Sequence, residues 1–532
     1  MYQLYLTIAE IGLSDAVHGG ITVTEIAAMD QPIDVSPETT AAFVGRALRG
    51  PLNIPVFVQN FGEFRRRFGD VWSRSSLGPS VQQFFQHGGK NLYIVRVANS
   101  ARGAMICIPA SGSAMVLRAL EPGSTECIRA AVDYDGIDDD NDEYFNLTLQ
   151  RIDAGTGLIL DQEIFRQVSH LHIANDAGDF VGDELLKSSM VRIEHPYPSH
   201  RPEATVGVDG QLWPTYIDHA QEGSDGNELS DYDLIGSRRE STGLFSLQQV
   251  EHFDLLYLPP PGKGIDTGPA AVLAAELYCR GRGAMLIVDP GSDWHSPDDA
   301  VHSVRQCGYA SPNMLGYFPR LIRRTAADDA PRAMGGALAG LLCKLDRTHG
   351  SWQPMDTQGL SFDRTLMPAI DVDEENARML AREGLNVIAT GAAGRARLTG
   401  SRTMGRGSES HRMFNSLPIR RLCLRIANAI DRATRWAVFE QPDARLAEHV
   451  RGQVYAYLYG LADLGAIEDD HIVVHCDAGM SKRVIDDPRG VTILITIQPL
   501  GCEMPISLTL QQTAAGCRVA NTAFAPIMDD CA

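Results

Sequence analysis

Between residues 417 and 510 the apolar residues change their spacing, and that change restricts what the chain can fold into. Over 417–439, Ile419, Leu422, Ile426, Ile430, Ala433 and Ala437 recur at intervals of three and four, which makes one stripe of a long helix. Arg420, Arg421, Arg425, Arg432 and Arg435 are interleaved with it. A second helix is expected over 443–464, with Leu446, Val450, Val454, Leu458 and Leu461 on its stripe and Asp443 as N-cap. The period then drops to two. Strands are expected at 472–476, 491–497 and 505–510. In the second, Val491, Ile493, Ile495 and Ile497 share a face opposite Thr492, Leu494 and Thr496.

Upstream, strands and helices alternate. Strands are expected at 41–47, 55–59 and 91–97, and helices at 62–68 and 79–87. Further on come a strand at 253–259, a helix at 269–282 with proline in its first turn, and a strand at 284–288. Alternation of this kind implies an α/β layer architecture. From about 100 to 240 the character changes. Residues 133–143 hold seven acidic side chains and no basic one, and 223–233 is again polar and acidic, with strand-like and helix-like runs (145–151, into Phe165, 180–188) between them. This reads as an inserted, solvent-facing domain. The first forty residues read as an arm: Ile21, Val23 and Ile26 lie in an alternating strand preceded by Gly19-Gly20 and followed by Pro32 and Pro37. Such a strand must dock on a sheet elsewhere. The division expected is therefore an arm (1–40), an α/β segment (41–99), the insert (100–243), an α/β middle domain (244–375), a C-terminal core domain (376–512) and a second arm (513–532).

The 532 residues fit about three domains. Lys plus Arg number 47 and Asp plus Glu 67, a net charge of −20 that opposes nucleic-acid binding. The ten cysteines form no CxxC, so free thiols in a reducing compartment are expected. Residues 1–13 lack a basic leader region, and 334–343 is too short to span a bilayer, so synthesis in the cytoplasm with no membrane span is expected.

The nearest approach to an enzyme motif is Gly262-Lys263-Gly264-Ile265-Asp266-Thr267-Gly268, between a strand and a helix, with Asp289 ending the next strand. That is the layout of a dinucleotide site using Gly262, Gly264 and Asp289, where amides at a helix N-terminus hold a pyrophosphate. The spacing is GxGxxxG, however, and three prolines stand before it, so a plain strand-to-helix loop is the stronger reading. The acidic run lacks EF-hand spacing, and His170/His172 and His471/His475/Cys476 lack a second ligand cluster. No catalytic residue, cofactor or metal is expected.

Several blocks resemble contractile phage tail sheath proteins. The run Gly20-Ile21-Thr22-Val23-Thr24-Glu25-Ile26 is similar to their opening strand. Thr39-Thr40-Ala41-Ala42-Phe43-Val44-Gly45-Arg46 and Tyr93-Ile94-Val95-Arg96-Val97 are similar to the blocks that follow, and Gly400-Ser401-Arg402-Thr403-Met404, Ile419-Arg420-Arg421-Leu422 and Thr434-Arg435-Trp436-Ala437-Val438-Phe439-Glu440 to their C-terminal domain. The single chain is most similar to the phage and extracellular-device branch.

The resemblance implies an α+β or α/β multidomain fold: a sheath core formed by the N- and C-terminal parts, an inserted outward-facing domain and extended arms. It implies a non-enzymatic subunit of stacked hexameric rings around an inner tube protein, with baseplate and tail terminator proteins as further partners, in a virion tail or a released phage-tail-like particle. Ile21, Val23 and Ile26, and Ile506, Leu508 and Leu510, are the expected donor strands between subunits. Ile472, Val474, Val491, Ile493 and Ile495 are the expected acceptor sheet. Arg420, Arg421 and Arg425 are candidates for facing the tube, and 27–39 and 514–521 for hinges.

Overall fold

The computed structural model describes residues 5–6, 23–24, 31–35 and 38–519, apart from residues 139, 154, 173–178, 206–214, 219–220, 263, 324–330, 357–359, 392–393, 407–412, 442, 479–490 and 514–515. Strands such as Thr40–Gly45, Met285–Val288 and Met314–Phe318 are short, apolar and buried on both faces, as parallel strands covered by helices must be. They build an eight-stranded sheet. In order across it stand Ala396–Thr399, Leu385–Thr390, Met314–Phe318, Met285–Val288, Leu255–Tyr257, Thr40–Gly45, Asn91–Arg96 and Val56–Val58. The six inner strands are parallel and both edges antiparallel.

Helices cover both faces. Phe43, Tyr257 and Leu315 point to the side holding helices Leu77–Gln86 and Gly335–His349. Ala42, Val44, Leu256 and Leu286 point to the side holding Pro269–Arg282, Pro297–Gln306 and Glu374–Arg382. Two of the helices touch backbone to backbone. A Cβ on Gly336 would lie 2.2 Å from the Ser80 carbonyl oxygen, and one on Gly340 2.4 Å from that of Phe84.

The insert is a separate antiparallel body. Val191–Ile193, Ser113–Ala119 and Met105–Ala110 form one sheet; Ile159–Ser169, Tyr144–Ile152, Cys127–Asp133 and Ile217–Asp218 form the other. Ile106, Leu117, Ile128, Phe145 and Leu147 make its own core. Its neck is a pair of antiparallel bridges, Asn99 with Asn227 and Arg102 with Ser224. The buried Arg96 guanidinium fixes the root, donating to the carbonyls of Ala47 (3.1 Å) on the core side and Pro122 (2.6 Å) on the insert side. Burial brings its pKa down to about 10.

In the C-terminal unit, helices Leu417–Thr434 and Ala444–Asp463 pack on a four-stranded antiparallel sheet. Asp443 caps the second helix by accepting from the Leu446 amide at 2.8 Å. The first is shorter than its apolar stripe suggests: at Thr434 it tightens into a 3₁₀ turn, Arg435–Phe439. The helix expected at 180–188 is one turn, Val181–Glu184, because the Ser188 hydroxyl accepts from the amides of Met190 and Val191 and turns the chain into a strand. The expected break at residue 376 falls inside the α/β core, whose helix Glu374–Arg382 and strands Leu385–Thr390 and Ala396–Thr399 lie in the central layers.

Candidate functional site

The C-terminal sheet runs in the order Val473–Ala478, Val491–Ile497, Ile506–Thr513, Gly516–Val519. Its alternation is as the sequence requires. Val491, Ile493, Ile495 and Ile497 are buried against the two helices, while Thr492, Leu494 and Thr496 lie on the half-buried outer face. Val474 (3% exposed) sits in the first strand and Ile472 (8%) just before it.

The expected donor strands are placed differently. Ile506, Leu508 and Leu510 are not a free arm. They are at most 2% exposed and lie in a strand paired along its length with Val491–Ile497 of the same chain. The periodicity identified the strand, but the choice of partner was not contained in it. Gly516–Val519, expected to be hinge, pairs with that strand in turn, Val519 opposite Leu510. At the other end, Val23 pairs with Leu6 and Thr24 with Tyr5; Ile21 and Ile26 lie outside the described residues. Residues 31–35, also expected to be hinge, are docked on the C-terminal helices: Ile33 is buried there, and Gln453 donates to the Gln31 carbonyl at 2.5 Å. The sheet thus leaves two edges among the described residues, Val473–Ala478 and Gly516–Val519.

The three arginines expected on a docking surface turn inward. Arg421 is buried and paired with the buried carboxylate of Asp346, to which Thr39 also donates. Arg420 donates to Asn313 Oδ1 at 2.7 Å and lies over the Phe414 ring. Burial lowers its pKa. Arg425 is half-buried and reaches the Val35 carbonyl at 3.5 Å. The reason is geometric. The Leu417–Thr434 helix is covered twice, by the sheet on its apolar stripe and by the α/β core on the side that a two-sided helix would give to solvent.

The nucleotide alternative fails residue by residue. A helix N-terminus can hold a phosphate only while its amides are free. At Pro269–Arg282 they are taken by Asp231, which accepts from the amides of Gly268 (2.9 Å) and Ala271 (3.1 Å). Asp289 does not face a ribose. It is buried, accepts from the Tyr257 hydroxyl, and caps another helix by accepting from the amides of Met334 (3.1 Å) and Gly335 (2.9 Å). Burial raises its pKa despite these bonds. Asp266 is held by Ser292 and Arg320. The crossovers reverse direction between Thr40–Gly45 and Leu255–Tyr257, where α/β sheets hold ligands. Arg46, which follows the first of these strands, is committed to the insert's neck: it donates to the carbonyls of Asp225 (3.0 Å) and Gly226 (3.2 Å) and stacks on Trp72. Among the described residues, no His/Cys/Asp/Glu group is placed to hold a metal ion, and no helix is long and apolar enough to cross a membrane.

No protein-family model matches the chain, and no curated protein does. Solved structures do. A sheath tail protein from Listeria innocua superposes with a TM-score of 0.60 at 13% identity, over 92% of this chain and 98% of that one. A sheath tail protein from Desulfitobacterium hafniense gives 0.54 at 11% identity, over 93% and 100%. The helical sheath of the anti-feeding prophage in its contracted state gives 0.52 at 14%, over 97% and 100%. Core, insert and C-terminal unit are all included in these matches, and over nearly its whole length the chain has the fold of tail sheath proteins.

Proposed function

We propose that this chain is the sheath subunit of a contractile tail or phage-tail-like injection device. It polymerises as stacked hexameric rings around an inner tube and shortens to drive that tube through a target envelope. One observation carries the reading: over 97% of its length the chain superposes on a helical sheath in its contracted state. Two of the amides at the start of Pro269–Arg282, where a phosphate would be held, are engaged by Asp231 of the same chain. The open edge Val473–Ala478 is the acceptor in this reading, and the strand around Val23 of a neighbouring subunit is the donor. Such a contact joins unlike surfaces and so propagates as an open helix. Contraction is then a downhill exchange between two packings of one subunit, with no nucleotide consumed. Inner tube, baseplate and terminator proteins are the partners, and the particle assembles in the bacterial cytoplasm.

Electron microscopy of the purified chain alone tests this. Long hollow helical cylinders are expected, and deleting residues 1–26 should abolish them while leaving a folded monomer. A chain that stays a discrete small particle at high concentration and across salt conditions would sink the reading.

A further inference from the structure

His87 follows the helix Leu77–Gln86 and is buried against Gly335–His349, where a Cβ on Gly340 would lie 3.0 Å from the Cβ of His87. Both ring nitrogens are used. Nδ1 stands 2.7 Å from the Gln83 carbonyl, which can only accept, so Nδ1 carries the proton. Nε2 stands 3.1 Å from the Asp363 amide, which can only donate, so Nε2 is bare. The two partners fix one tautomer of the neutral ring. A second proton would set two donors face to face.

The Asp363 amide belongs to a short strap. Ser361 bridges Arg397 antiparallel, and the Phe362 amide donates to the Ala396 carbonyl at 2.9 Å. Ala396–Thr399 is the outermost strand of the central sheet, so the strap covers the start of that edge. Phe362 is buried in the core beneath and meets the His87 ring edge-on, centroids 5.8 Å apart. His87 thus ties the strap to the helix layer.

The charges around the ring do not favour its protonated form. Helix Gly335–His349 brings up Lys344, which packs on Gly88, and Arg347, which donates to the Gly88 carbonyl at 3.1 Å. On the strap, the Asp363 carboxylate is committed to the Thr365 amide (2.9 Å) and hydroxyl (2.6 Å), with Arg323 as its own cationic neighbour. Burial pushes the His87 pKa below the ordinary histidine value, outweighing the Gln83 bond and the Asp363 charge.

We infer that His87 is an acid-sensitive latch: protonation of Nε2 breaks its bond to the Asp363 amide, and the strap at 361–363 lifts off the sheet edge at Ala396–Thr399. Because the folded value is the lower one, the latch holds fully above the unfolded value of about 6.5 and is lost as pH falls through the folded one. Release bares backbone donors and acceptors on a sheet edge, the kind of row to which another strand adds. The latch stands whether or not the chain polymerises.

Hydrogen exchange of the full chain, read by mass spectrometry and corrected for the intrinsic effect of pH, tests this. Protection of the peptide holding Phe362 and Asp363 should fall between about pH 7.5 and about pH 5. The fall is up to about thirty-fold for an ordinary histidine value of about 6.5 in the open form. Peptides from Met285–Val288 should stay level. His87→Gln keeps an acceptor for the Asp363 amide that does not titrate, and should hold the protection constant. His87→Asn keeps only the donor to Gln83, and should leave the peptide weakly protected at either pH. Native protection unmoved by pH, an equal fall in His87→Gln, or native-like protection at neutral pH in His87→Asn would each overturn the latch.

Discussion

Arg421 and Asp346 are 6% and 3% exposed, and they tie the Leu417–Thr434 helix to Gly335–His349 at the point where Thr39 leads into the central sheet. Removing one member strands the other charge in the interior, which typically costs about 3–5 kcal/mol. Arg421→Met should lower stability in urea denaturation by that order, and Asp346→Leu added to it should restore most of the loss. A second buried carboxylate responds to pH. Arg305 and Arg406 both bond Glu383, and those bonds, that of Arg305 first, hold its pKa below the ordinary carboxylate range. Its contribution is complete above the unfolded value of about 4.3 and is lost as pH falls through the lower folded value. The melting-temperature gap between the native chain and Glu383→Gln should be open at neutral pH and close in acid. These pairs could not be foreseen from sequence. An arginine at helical spacing reads as solvent-facing until one knows that a second layer covers it.

Among elements, the helices Leu77–Gln86 and Gly335–His349 approach so closely that no side chain fits between them. Gly340→Ala places a methyl against the Phe84 carbonyl, and overpacking of this kind costs about 1–3 kcal/mol. The loss should appear as a lower urea midpoint with an unchanged slope. The capping of Pro269–Arg282 by Asp231 yields a different expectation. Asp231→Ala should cost roughly 1 kcal/mol, as lost caps do. Neither the native chain nor that variant should melt higher with NAD or ATP, since Asp289 remains committed to Gly335. Element type was legible wherever local period decides it: Pro269–Arg282 and Val491–Ile497 were read to the residue. Pairing was not. Ile506–Thr513 has the same alternation whether its partner is its own chain or another, because backbone ladders carry no side-chain address.

At the level of the whole molecule, the insert touches the core through a narrow neck, with the Arg96 clamp at its root. Joining Asn99 to Asn227 through a short Gly-Ser linker should remove the insert and leave the core, because Leu229 and Leu234, which pack under the central sheet, are retained. Circular dichroism should show the mixed signature preserved, and electron microscopy should still show cylinders. The acidic runs at 133–143 and 223–233 set the stretch from about 100 to 240 apart in composition. The boundary at 376 had no such mark, since both sides of it are amphipathic and belong to one sheet.

The strand order carries a consequence for synthesis on the ribosome. Thr40–Gly45 lies between Asn91–Arg96 and Leu255–Tyr257, and Phe43 packs edge-on against Tyr257. When the first hundred residues have emerged, one side of that strand is bare, and it stays bare until some 160 more are made. The insert meets no such delay, since all its strands lie between 105 and 218. Contacts this distant in sequence close slowly. The insert therefore folds first, as an independent unit, while the unfinished central sheet waits with an apolar edge exposed, and this is the interval in which the nascent chain most needs a chaperone.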